Sequence, residues 1–108
     1  RGVAQSDAEA VRWYRAAANE GNALGMANLA YFYNLGRHVE INPSQAADLI
    51  LRAGRTGASE VRGDLTRETA RELQMRLQAS GHYQGAIDGV FGPASQTALQ
   101  AYAEEHQS

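Results

Sequence analysis

Apolar residues recur along this chain at helical spacing, three and four positions apart, with polar residues between them. Ala10, Trp13, Tyr14 and Ala17 make one such stripe, Met26, Leu29, Ala30 and Tyr33 a second, and Ala46, Leu49, Ile50 and Ala53 a third. Further on, Ala70, Leu73 and Leu77 share a face, and Ala94, Ala98, Ala101 and Tyr102 mark the inner side of a last helix. Residues suited to helix starts precede these stripes: Ser6 with Glu9 as a capping box, Asn42 followed by Pro43 and Gln45, Thr66, and Pro93 at a first helical position. Glycines 21, 36, 57 and 81 stand where the stripes stop, as helix terminators do. The pattern predicts an all-α chain, and its richness in alanine and poverty in β-branched residues agree.

The first half repeats itself. At an offset of 36 residues, residues 1–21 align with 37–57, pairing Arg1 with Arg37, Val3 with Val39, Ala10 with Ala46, Ala17 with Ala53 and Gly21 with Gly57. A helix-loop-helix unit of that period, with small residues at contact positions, points to an α-solenoid in which each repeat buries its face on the next. Residues 1–62, and "AVRWYRAAANEGNALGMANLAYFYNLGRHV" in particular, resemble Sel1-like repeats, relatives of the tetratricopeptide repeats. They hold the end of one repeat, a full repeat and the start of a third. The pattern departs at His38, where a second glycine is usual. The resemblance implies a protein partner on the repeat surface, although aromatics at this spacing, Trp13, Tyr14, Tyr31, Phe32 and Tyr33, also suit a core.

The second half centres on "GHYQGAIDGVFGPASQTAL", residues 81–99, with Asp88 as its acidic residue. A calcium loop needs oxygen ligands at alternating positions and a closing glutamate, and none of the later acids is present. Paired-carboxylate catalysis would need a second acid, and Glu104 and Glu105 fall in the last helix turns. Asp88 therefore reads as an Asx-type turn residue that accepts backbone N–H groups, with Gly89 in a conformation that disfavours a Cβ and with Gly92 and Pro93 shaping the exit. Ile87 and Phe91 are expected to bury the underside of this loop.

Residues 66–107, through "RELQMRLQASGHY" and "GAIDGVFGPASQTALQAY", resemble the small helical peptidoglycan-binding domain found in many bacterial wall hydrolases and envelope proteins. Ser95 stands where threonine is usual, Tyr102 where phenylalanine is, and Ala103 replaces a common glutamine. The resemblance implies a three-helix bundle that holds peptidoglycan non-covalently, through stem peptides or nearby glycan. His82, Tyr83, Gln84, Ser95 and Gln96 are the expected contacts: tyrosine offers a flat face, while amides and a helix start suit carboxylates. Packing of Tyr83 on the helices is the competing reading for that residue.

Charge and composition narrow the classes. A net charge of -2 with scattered arginines lacks the clustered basic face that nucleic acid requires, so no nucleic-acid partner is expected. With no cysteine and no lysine there is no thiol nucleophile, thiolate metal site or Schiff-base amine. His38, His82 and His106 lie in separate segments without metal-ligand spacing, and the serines lack a nucleophile context, so neither a metal, a cofactor nor a catalytic residue is expected. No apolar run approaches the roughly 20 residues that span a bilayer. The opening "RGVAQSDAEA" reads as a motif entered midway, which suggests a piece of a larger protein. These readings converge on a non-enzymatic, all-α segment in which solenoid repeats pack against a small three-helix bundle, anchoring a bacterial envelope protein of the periplasm to the wall. The alternative is a protein-interaction or regulatory module of a larger caspase-like protease or hydrolase, without wall binding.

Overall fold

The computed structural model describes residues 3–37, 39–58 and 64–106, with side chains over 9–37, 39–58 and 64–105. Five α-helices and no strand occur among the described residues: α1 (Val3–Asn19), α2 (Ala23–Leu35), α3 (Pro43–Arg55), α4 (Arg67–Ala79) and α5 (Pro93–His106). They form a row measuring 46 × 30 × 18 Å. In that row α1 packs on α2, α2 on α3, and α3 on both α4 and α5.

Burial follows position in the row. α2 lies between two helices and is apolar nearly all round, burying Met26, Ala27, Leu29, Ala30 and Phe32. α3 has neighbours on two sides and buries Ala46, Ala47, Leu49, Ile50, Leu51, Ala53 and Gly54. α1 has α2 on one side, where Val11 and Ala18 are buried and Tyr14 stacks on Phe32 with ring centroids 5.8 Å apart. Trp13, expected on the inner stripe, is instead 74% exposed, because its part of α1 meets no other described helix.

Three helices end in the same way. Beyond α1, the N–H of Gly21 bonds Ala18 O and that of Asn22 bonds Ala17 O; beyond α3, Gly57 bonds Gly54 O and Ala58 bonds Ala53 O. These pairs lie 36 residues apart, so the sequence period is also a period of backbone hydrogen bonds. Gly81 to Gln78 O and His82 to Leu77 O repeat the device after α4. Each is a Schellman motif, and its glycine takes the positive φ the motif requires: 84° at Gly21, 118° at Gly57 and 85° at Gly81.

Helix starts are capped by the expected residues in two cases. Asn42 Oδ1 accepts the N–H of Gln45 at 3.0 Å with Pro43 following, and Thr66 Oγ1 accepts that of Thr69 at 3.2 Å. Asn22 caps α2 through Gly25 at 2.8 Å, a role its sequence position did not suggest. The expected cap position at Ser6 is not a helix start, since α1 already begins at Val3.

The C-terminal stretch supplies two helices to a three-helix bundle, and α3 supplies the third. α4 and α5 touch each other only slightly, and each packs more extensively on α3. A Cβ at Gly54 would make ordinary contacts with the Ala103 Cβ at 3.4 Å and Leu99 Cδ1 at 3.9 Å, so this packing does not demand glycine there. On α5 the inner face is Ser95, Ala98, Leu99, Tyr102 and Ala103, whereas Ala94 and Ala101 are exposed, one position away from the expected stripe.

The fully buried Asn34 of α2 guides the chain into α4. Its Nδ2 donates to Asp64 O and its Oδ1 accepts the N–H of Thr66, both at 2.9 Å. One side-chain amide thus satisfies two backbone groups of a connection that has no regular partner.

Candidate functional site

Between α4 and α5 the chain runs through residues 82–92 without a regular element. A stretch with no ladder must satisfy its polar groups from side chains or solvent, and here the source is Gln74. This residue lies on the inner face of α4, one position after Leu73, and is 0% exposed. Its Nε2 donates to Val90 O at 2.9 Å, Ser95 Oγ at 3.0 Å and Asp88 Oδ1 at 3.2 Å, with Tyr83 Oη more distant at 3.4 Å. Its Oε1 accepts the N–H of Gly89 at 3.0 Å. Two N–H groups shared among four acceptors make a bifurcated network, and it joins one helix to four points along the loop and the start of α5.

Asp88 closes the turn from the other side. Its Oδ1 accepts the N–H of Val90 at 3.0 Å, an Asx turn, while Gly89 sits at a φ of 78°. Glycine is required there twice over: the conformation disfavours a Cβ, and the added atom would collide with Arg67 Cγ and come within 3.1 Å of Arg67 O. The Val90 N–H and the Gln74 amide hold the Asp88 carboxyl below its usual value of 3.8, with Arg67 assisting more weakly. Gly92 has no positive φ, and a Cβ on it would meet open space, so the backbone does not demand glycine at that position. Pro93 is the first residue of α5, and the Gly92 carbonyl accepts the N–H of Gln96 at 3.0 Å. Ile87 and Phe91 are half-buried against the core.

The five expected contact residues part company. Tyr83 is only 7% exposed and its hydroxyl donates to Ala86 O at 2.7 Å. Ser95 is 1% exposed and engaged with Gln74. Ser95 was expected at the upper surface and Tyr83 either there or packed on the helices; both face inward, where Gln74 and the Ala86 carbonyl take up their hydroxyls. Gln84 is exposed, and Gln96 is half-buried at the start of α5. His82 bridges two elements: Nε2 donates to Glu105 Oε1 at 2.7 Å, Nδ1 lies 2.7 Å from Ser80 Oγ, and the ring meets Tyr102 edge-on at 5.5 Å. Of the five, Gln84 is thus the exposed one, with the half-buried Gln96 on α5 and a partly covered His82.

Gln74 was not anticipated as the organiser. A polar residue on an apolar stripe beside Ala70, Leu73 and Leu77 was the available signal, since a buried amide persists only where its hydrogen bonds are met. Among the described residues no group of three or more His, Asp or Glu side chains could hold a metal ion; His38 and the side chain of His106 lie outside them. Among the described residues, too, no helix is long and apolar enough to cross a membrane.

Residues 66–107 match the family model described as a putative peptidoglycan binding domain. The match spans α4, the Gln74 loop and α5, well under half of the chain, and the matched family is described as a binding domain. No curated protein and no solved structure matches the chain.

Proposed function

We propose that this chain is a non-catalytic module that anchors a larger bacterial envelope protein to peptidoglycan, in the periplasm, with the C-terminal domain of residues 66–107 making the attachment. The observation that carries the reading is the family match falling on the same residues that the Gln74 network organises, from the Thr66 cap to the end of α5. An eleven-residue loop without regular structure, held to one helix by a buried amide, is a preorganised surface; its exposed Gln84, Gln96 at the start of α5 and His82 are the proposed contacts, while Tyr83 and Ser95 contribute by fixing its shape.

The repeat-like segment of residues 1–62 is proposed as a Sel1-like spacer and protein-binding platform. Leu49 of α3, in register with Trp13 at the 36-residue period, is 2% exposed where α3 is covered on two sides. Trp13 with Glu9, Arg12 and Ala16 lines a groove of about 340 Å³ on the corresponding part of α1. The occupant this register supports is another helix of the repeat type.

Co-sedimentation of the folded chain with purified sacculi tests the anchoring reading, and retention in the pellet is the expected result. A chain that keeps its helicity yet stays in the supernatant at low salt would sink it and leave a protein-interaction module.

A further inference from the structure

We infer that the wall ligand's peptide part is received in a groove between the start of α3 and the outer face of α4, so that the attachment site is shared between the repeat-like segment and the C-terminal domain. The inference rests on the anchoring reading above and names its site and ligand class.

The groove, open to solvent, holds about 380 Å³ and is lined by Asn42, Pro43 and Ser44 on one side and Glu68, Arg71, Glu72 and Met75 on the other. That volume is within the range of small-ligand sites. Its location ties it to the loop described above: the aliphatic stem of Arg71 lies against Gly89, with Cγ 3.1 Å from where a Cβ would be. Arg76 braces the two walls by donating from Nη2 to Ser44 Oγ at 2.7 Å. The groove is thus a fixed junction between α3 and α4 rather than a gap between loosely apposed helices.

The lining selects among wall components. Sugars are usually gripped by flat aromatic faces, and among the described residues no aromatic lines this groove. It carries charges of both signs instead. The Arg71 guanidinium has no hydrogen bond or ion pair with any described residue, so it is available to a carboxylate. Glu68, one helix turn before a Glu72 that already pairs with Arg76 Nη2 at 3.9 Å, suits an ammonium, and the half-exposed Met75 with Pro43 offers apolar contact for small side chains. A short peptide bearing carboxylates, a free amine and alanine methyl groups answers all three requirements. Peptidoglycan stem peptides have that chemistry, and the glycan strand does not.

The test uses the whole 108-residue chain with three probes: intact sacculi, a soluble stem tetrapeptide, and glycan strands stripped of peptide. The tetrapeptide is expected to bind and to shift the amide resonances of Ser44, Arg71 and Met75, while stripped glycan leaves them in place. Arg71→Glu should weaken tetrapeptide binding about tenfold or more, the size of one lost charge-assisted contact, and Met75→Trp, which fills the groove, should weaken it too, with helicity checked for both. Sacculus binding that both variants keep, with no tetrapeptide shifts on α3, overturns the groove and leaves anchoring intact. Failure of the unaltered chain to bind sacculi removes both.

Discussion

Helices α1 to α3 and the stretch from α4 to α5 solve the same problem, ordering a chain between helices, by opposite means. In the first, a Schellman ending is followed at once by a capped helix, as where Gly21 leads to Asn22, and the order comes from small residues packed in series. In the second, the same ending after α4 releases the chain into an irregular path whose polar groups converge on Gln74. Order is distributed in one region and concentrated in the other. A repeated packing scheme tolerates local change, whereas a hub concentrates risk but can hold a surface of arbitrary shape.

The sharpest way to break this contrast is to strike the helix both regions share. Leu49→Ala on α3 should destabilise the protein by about 3 kcal/mol, within the usual range for a fully buried leucine. Urea unfolding followed by amide exchange should show α2 and α4 losing protection together. Separate transitions would mean that the regions fold independently.

Gln74→Leu probes the hub. It leaves the Gly89 N–H, the Val90 carbonyl and Ser95 without their partner, and a cost of about 2 kcal/mol is expected, with raised exchange confined to residues 83–92. Uniform loosening of α1 and α2 as well would contradict the local role. Gly89→Ala should cost roughly 1 to 2 kcal/mol for the left-handed backbone conformation, with more from the encounter with Arg67. Its exchange pattern should resemble that of Gln74→Leu, since both release the same turn.

The smallest effect is set by pH. The Asp88 carboxyl has a lowered pKa in the folded protein, so its contribution is fully present above the unfolded value of about 3.9 and fades as pH falls through the folded one. Asp88→Asn retains an acceptor for the Val90 N–H but not its charge. The stability difference between the two proteins should therefore shrink on acidification below about pH 4. A difference that stays constant from pH 6 to pH 2 would show that charge is irrelevant to this turn.

Helix ends were the most legible part of the sequence, because glycine in a left-handed conformation and an Asn or Thr cap are local chemistry that needs no knowledge of neighbours. Asn42, Pro43, Thr66 and Pro93 fall where a local reading puts them, as does the turn of Asp88 and Gly89. Facing directions were less legible. In α5 the alanines are spread so evenly that they define no phase, and the burial of Ser95 and Ala103 shifts the inner side by one residue. Trp13 has core-like spacing, yet periodicity gives the side of a helix and not whether anything stands beside it. Ser95 is turned inward by a bond to Gln74, 21 positions away, and Tyr83 by its bond to the Ala86 carbonyl and a looser one to Gln74, nine positions away; the two bonds to Gln74 reach beyond any local pattern.

The position of α3 bears on how such a protein could be taken apart and recombined. A graft of residues 66–107 onto another carrier would bare the sides of α4 and α5 that α3 now covers, since those two helices barely touch each other. Since α2 covers α3 as well, a cut at the Asn42 cap would bare that face instead, so the modular seam written in the sequence is not a seam in the packing.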